Sequence, residues 1–387
     1  MTKTPFFSSC SVLCCCAAFL TPLVVSAEVS TPKQIADRPS AHCQSPRWAP
    51  DGSQIAYDVY DPSKDTRETW LQKISSDGRR EANAEEVSAG RAQAADLLGG
   101  RKPPVVEFEW APKMNLLSRP YVFSSRGANK NMDLFADGDW LTKNPGNDGQ
   151  PSWSKDGRFI AYASQQKDGG DIYAIDLQGD STPIRLSFWP AATEFAPNWA
   201  PGAKGHTLMF TRSQSGNKGQ DIGVIQDTAK PQETLRMVTE WPGDEIRPNW
   251  SPDGKLIAFY ANKDSKSDKV FDLWVVEASG QNAKKLASDV VADERSGPAW
   301  SPDATTVFFV QQDFKRDNPV VWVRADGTAH GTVETGTQLN GDVTIFGKAD
   351  HLSLAFKALG QKGSTDKTWE RLYLVTLTMA DLKPETP

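Results

Sequence analysis

The sequence predicts an all-β fold, a β-propeller of four-stranded blades, on three observations. One unit, Arg247 to Leu286, recurs in near copies along most of the chain. Six copies carry a tryptophan at the same place (Trp48, Trp110, Trp153, Trp199, Trp250 and Trp300), about 43 to 62 residues apart. In four copies an Asp-led segment opens the third strand, at Asp133, Asp171, Asp221 and Asp272. Self-similarity at this period, with four short strands and a turn signal per copy, is the mark of a propeller, whose blades bury their faces by stacking on one another.

Within the reference unit, Arg247 to Trp250 is a short first strand, and Ser251-Pro252-Asp253-Gly254 is a turn. Its proline pre-sets φ and its glycine permits the positive φ of a tight hairpin. Leu256 to Phe259 and Phe271 to Val276 are apolar, β-prone runs, and Lys284 to Ala287 closes the unit. Units are expected near residues 45–104, 105–148, 149–194, 195–245, 246–294, 295–337 and 338–379. Lys33 to Asp37 precedes Ser45-Pro46-Arg47-Trp48 as Lys284 to Ser288 precedes Gly297-Pro298-Ala299-Trp300, so it reads as an outer strand without a blade of its own. The last unit has three strands and no tryptophan (Asp342 to Gly347, Leu352 to Phe356, Arg371 to Leu377). The N-terminal strand is therefore expected to complete it, giving seven blades and removing two open edges.

Residues 1–27 have one base, Lys3, an apolar stretch and Val25-Ser26-Ala27 before Glu28, which is the pattern of a cleaved secretory signal. A membrane anchor is the competing reading, but Ser8, Ser9, Ser11 and Thr21-Pro22 break the run below the roughly 20 apolar residues a span needs. Residues 28–387 then form a single propeller domain with net charge 42 − 49 = −7, which gives no sign of nucleic-acid binding. Four of the five cysteines leave with the signal, so Cys43 has no intramolecular partner. Ser76 to Pro104 is the one sizeable insertion. Its segments 81–86 and 92–98, rich in alanine and charge, suit a short helix.

The run P-x-W-[SA]-P-D-G, followed by an I-A-[FY] strand and a D-[IL]-[YFW] strand, resembles the WD40-like repeats of the TolB propeller family. This resemblance covers nearly the whole chain after the signal. It implies a periplasmic protein of the cell envelope that docks an envelope protein or lipoprotein at the channel mouth, acting as a monomer and not as an integral membrane protein. One departure is plain: TolB carries a sizeable α/β domain ahead of its propeller, whereas only Glu28 to Gln44 precede the first unit here. The chain therefore reads as TolB-like rather than TolB. Six blades, the count of TolB's own propeller, is the alternative if the last unit packs outside the ring.

Candidate site residues come from the offset to the repeat tryptophan. Asp148, Glu194 and Glu245 stand five residues before it, and Glu294 six before. Superposed blades would place them in a ring round the mouth, where they would dock a basic peptide or hold a divalent cation, no other cofactor being expected. The same carboxylates would serve equally as caps of their own turns. Loops between second and third strands carry lysines, among them Lys64, Lys130 and Lys263, which would form a basic rim. No G-x-S-x-G elbow is present, and His42, His206, His330 and His351 are scattered along the chain, so a non-catalytic scaffold is expected. The alternative is a carbohydrate- or metal-dependent enzyme, of lyase or glycosidase type, with its site in the channel.

Overall fold

In a computed structural model, residues 29–385 are described apart from residues 82, 88–104, 113–119, 137–138, 167–168, 203–205, 215–218, 266, 293–295, 314, 316, 349 and 367. The strands assemble into seven four-stranded antiparallel sheets, the blades of a closed propeller. Blades 1 to 6 open with first strands His42–Trp48, Val106–Trp110, Asp148–Trp153, Ala192–Trp199, Glu245–Trp250 and Ala299–Trp300. Each is followed in the sheet by the second, third and fourth strands in chain order. Blade 7 consists of Gly341–Lys348, His351–Ala358 and Arg371–Leu377, with Lys33–Ala36 as its outermost strand. The expected N-terminal closure is thus present: Lys33 pairs with Leu374 and Gln34 with Tyr373, while Ile35 and Ala36 are buried against Ile55, Tyr57 and Leu372.

Seven apolar clusters account for the core, one in each seam between neighbouring blades. The seam of blades 4 and 5, for example, packs Met209 and Ile222 against Trp250, Ile257 and Phe259. The repeat tryptophans lie in these seams, and four of them also hydrogen-bond backwards. Nε1 of Trp110, Trp199, Trp250 and Trp300 donates to the carbonyl of Arg47, Ser152, Asn198 and Asn249 respectively, at 3.0–3.1 Å. Each acceptor is the residue just before the tryptophan of the preceding blade, so a single side chain fixes both the packing and the stagger of two sheets.

Hairpins from first to second strands keep their chemistry as well. Gly157 and Gly254 turn at φ 76° and 72°, and the serine that opens each turn accepts from the N–H five residues on, Phe159 and Leu256, at 2.8 and 2.9 Å. The expected helix in the insertion is corrected in its first part. Glu85–Glu86 is extended, pairing with Leu71 and Trp70 as the fourth strand of blade 1, and Val87 beyond it is buried. An unfilled blade edge, with backbone groups to satisfy, outweighs a weak helix propensity. Residues 92–98 and 1–27 lie outside the described residues. Near the C terminus, the N–H of Glu385 donates to His330 O at 2.9 Å and Thr332 donates to its carboxylate, covering the outer edge of blade 6. Among the described residues no helix is long and apolar enough to cross a membrane.

Candidate functional site

Every first strand runs from the face where fourth strands arrive, called upper here, toward the face of the first hairpin, called lower. Six of them are interrupted by a β-bulge, where the pairing register jumps, for instance from Gln44 to Arg47 and from Ile246 to Asn249. At each jump one non-glycine residue adopts left-handed φ, between 49° and 55°: Ser45, Glu107, Gln150, Ala196, Arg247 and Asp342. That conformation costs roughly 1–2 kcal/mol. Proline follows in four cases (Pro46, Pro151, Pro197, Pro248), so the bulge leaves no orphan N–H at that position. In three of the six the N–H of the left-handed residue turns sideways to the preceding blade instead. Ser45 donates to Asp342 Oδ2 at 2.8 Å, Gln150 to Glu107 Oε2 at 2.8 Å, and Ala196 to Gln150 Oε1 at 2.7 Å. Strain in one strand is thereby offset by a bond that ties two blades.

The bulges also line the axial channel, which consists of two adjoining cavities of about 650 and 470 Å³ that share Arg47, Glu109 and Asn249. Above this waist stand Glu107, Gln150, Asn198 and Arg247; below it are the repeat tryptophans and Lys155. Arg47 is held by the buried Asp58, Nη2 to Oδ1 2.8 Å. Burial pushes the Glu109 carboxyl up to about 7, against the opposing pull of Arg47. The channel therefore offers donors, acceptors and one acid poised near neutrality.

Three of the four carboxylates singled out in the sequence are described, at the upper ends of blades 3, 4 and 5, and all are buried: Asp148 is 1 % exposed, and Glu194 and Glu245 are 0 %. Glu294 lies outside the described residues. Each described acid stands beside a hydroxyl that accepts a third-strand N–H. Leu134 donates to Thr142 at 3.0 Å, Ile172 to Ser187 at 2.8 Å, and Ile222 to Thr239 at 2.9 Å. Ser187 in turn donates its O–H to Glu194 Oε2 at 2.8 Å, and Asn144 donates to Asp148 Oδ2 at 2.6 Å. Neither oxygen of Glu245 has a hydrogen bond of ordinary geometry, Thr239 and the Trp241 N–H being the nearest donors. Burial raises the Asp148 carboxyl and pushes Glu194 up to about 7 and Glu245 up to about 8. These groups sit beneath the surface and brace the turn from fourth to first strand, and burial makes each hold its proton more tightly than a free carboxyl, unlike an open anionic ring. The equivalent positions hold Cys43 in blade 1, Val105 in blade 2 and Asn340 in blade 7.

Sequence reasoning missed the upper-face pairs of cation and indole. Lys263, expected in a basic rim, lies 3.6 Å from the ring centre of Trp241 and 4.1 Å from that of Trp274. Arg212 covers Trp189 at 4.8 Å and Lys143 covers Trp140 at 5.1 Å. A tryptophan just before each carboxylate-bearing strand was the available signal. Where blades 7 and 1 meet, His42 Nδ1 lies 3.1 Å from Glu370 Oε2, with Trp369 edge-on at 5.1 Å. Among the described residues no three His, Cys, Asp or Glu side chains gather as a metal-ligand set.

Compared with known proteins, the chain is 26 % identical over 238 residues to the Tol-Pal system protein TolB of Francisella tularensis, covering 50 % of this chain and 52 % of that one. The chain is TolB-like. An uncharacterised protein of Agrobacterium fabrum is likewise 26 % identical over 188 residues, covering 46 % of this chain and 55 % of its own. Both matches span about half the length of the relative. No family model matches. Among solved structures, an oligogalacturonate lyase of Vibrio parahaemolyticus superposes with a TM-score of 0.57 at 10 % identity, covering 90 % of this chain and 98 % of that one, a likeness of fold alone.

Proposed function

We propose that this TolB-like propeller is an exported, periplasmic, non-catalytic scaffold that docks an envelope protein or lipoprotein on its upper face. The observation that carries the reading is the upper channel cavity. It is mixed in charge and lined by the bulge residues of blades 2 to 5, so its shape depends on several blades and on no single loop. Similarity to TolB, a protein named for the Tol-Pal system, supports the class of partner. The buried carboxylates Asp148, Glu194 and Glu245 serve this face by holding the turns that frame it. The test is retention of envelope proteins on the purified chain, comparing Arg247→Glu in the upper cavity with Lys155→Glu in the lower. Residue 247 already has left-handed φ, and Glu107 holds the same conformation in blade 2, so the substitution is compatible with the backbone. Loss of one specific protein by Arg247→Glu alone supports the reading; equal retention by both variants refutes it.

A second reading, a carbohydrate-acting enzyme, rests on Glu109, a channel acid that burial holds near neutrality and so suits to move a proton. Turnover of a uronate oligosaccharide, lost in Glu109→Gln, would support it; no turnover by the wild-type protein would remove it.

A further inference from the structure

The two channel cavities meet at a waist where Arg47, Glu109 and Asn249 line both. The repeat makes these positions equivalent, since each stands just before the tryptophan of its blade, Trp48, Trp110 and Trp250. Their polar groups are unequally matched. Arg47 directs both Nη atoms at Asp58, at 2.8 and 3.4 Å, and Asp58 is buried, so the charge of this guanidinium is balanced from within the blade. Asn249 donates to the carbonyl of Pro298 at 3.2 Å, which leaves its Oδ1 as an acceptor. Glu109 is only partly buried, and no described group donates a hydrogen bond to its carboxyl. A carboxyl held away from bulk water without a donor is costly to ionise. Arg47 pulls against that burial without cancelling it, for Glu109 is still pushed up to about 7. The waist therefore lacks one positive charge that carries hydrogen-bond donors. A metal ion would need several oxygen or imidazole ligands, and among the described residues no such set gathers, whereas an ammonium needs only two or three acceptors.

We infer that the waist binds a small primary amine in its ammonium form, with the head between Glu109 and Asn249 and an apolar body in the lower cavity. Trp48, Trp110, Trp153, Pro112 and Ile345 supply apolar wall there, round a space of about 470 Å³. This is a small-molecule site below the upper face, separate from the protein docking proposed above. Ionised Glu109 and the ammonium cancel in charge as Arg47 and Asp58 do. The other charged groups of the channel lie to either side, Glu107 and Arg247 above, opposite in sign, and the exposed Lys155 below. Glu109 must give up its proton to pair, so binding strengthens as pH rises through about 7 and levels off above. The amine stays charged throughout, since an alkylammonium titrates near 10, as lysine does.

The experiment measures binding of 2-phenylethylamine, 2-phenylethanol and 3-phenylpropionate to the whole chain by ligand-detected NMR, at pH 8 and at pH 6. The probes share an aromatic body and differ in the head, which is a cation, a neutral hydroxyl and an anion. At pH 8 the amine should bind about tenfold tighter than the alcohol, because charge-assisted hydrogen bonds are roughly twice as strong as neutral ones. At pH 6 the ionised fraction of a group titrating at about 7 is about one-tenth, against about nine-tenths at pH 8, so this advantage should largely disappear. Glu109→Gln, which breaks no hydrogen bond to a described group, should remove both the preference and its pH dependence. The pH comparison on the wild-type chain tests the same point without a variant. Equal binding of amine and alcohol at pH 8, no binding of any probe, or an amine preference that survives at pH 6 or in folded Glu109→Gln would overturn the site. Tighter binding of 3-phenylpropionate would overturn it as well, and would make Arg47 the anchoring group.

Discussion

Replacing Trp199 by phenylalanine should destabilise the protein more than the same change at Trp153. The two indoles are matched in burial, 6 % and 7 % exposed, and occupy the same place in adjacent blades, so the loss of packing is nearly common to both. They differ in their donors: Trp199 Nε1 bonds the Ser152 carbonyl at 3.1 Å, whereas Trp153 Nε1 is buried without a partner. Phenylalanine at 199 gives up a hydrogen bond worth about 1 kcal/mol, while at 153 it relieves an unsatisfied donor that costs about 1–3 kcal/mol. The expected difference is about 2–4 kcal/mol, roughly 30- to 900-fold in the unfolding equilibrium. Guanidinium unfolding followed by far-ultraviolet circular dichroism measures it without relying on the fluorescence being altered, and equal m-values would show that the unfolded reference is unchanged. Equal losses, or a larger loss at 153, would refute the claim that the indole donor helps to set the stagger of the blades.

Other expectations follow from the seams and the bulges. Ile35→Ala should cost about 2–5 kcal/mol, since Ile35 is buried where the N-terminal strand closes blade 7; thermal unfolding indistinguishable from wild type would contradict that closure. Glu107→Ala removes the acceptor of the Gln150 N–H and the Ser124 hydroxyl and should lower stability by about 1–3 kcal/mol, while Glu107→Gln should stay close to wild type in the same denaturant titration. Burial lifts Glu194 to about 7 and Glu245 to about 8, from 4.5 for a free glutamate, so the folded state binds more protons than the unfolded chain between those values. Stability should therefore fall as pH rises from about 4.5 to about 8, by at most about 1.4 kcal/mol per pH unit for each group, and level off above. Glu194→Gln with Glu245→Gln should flatten the profile, and an unchanged slope would count against the burial of these carboxyls.

Much of the architecture could be read in the sequence because seams and hairpins constrain residue type locally. A wide indole fills the space between blades, and a serine–proline–aspartate–glycine turn meets a fixed set of φ values, so both recur visibly. The order of Lys33 to Asp37 before Trp48 was enough to place the closing strand. The bulges were not legible. Ser45, Glu107, Gln150, Ala196 and Arg247 share a backbone conformation but no chemistry, since what satisfies each is its neighbour's side chain or the proline that follows. For the carboxylates, the constant offset located them along the strand correctly but carried no information on depth. How far a side chain is covered depends on the adjacent blade. A hydroxyl six or seven residues before each acid (Thr142, Ser187, Thr239) was the readable sign that these groups brace a turn.

The measurement that bears most directly on the central claim is site-specific photo-crosslinking in the living cell, with a photoreactive residue placed at Gln165 beside the upper mouth or at Lys155 beside the lower. The account predicts a discrete adduct with one envelope protein from position 165 and none from position 155. Adducts from 155 alone, or the same adducts from both positions, would contradict a docking site on the upper face.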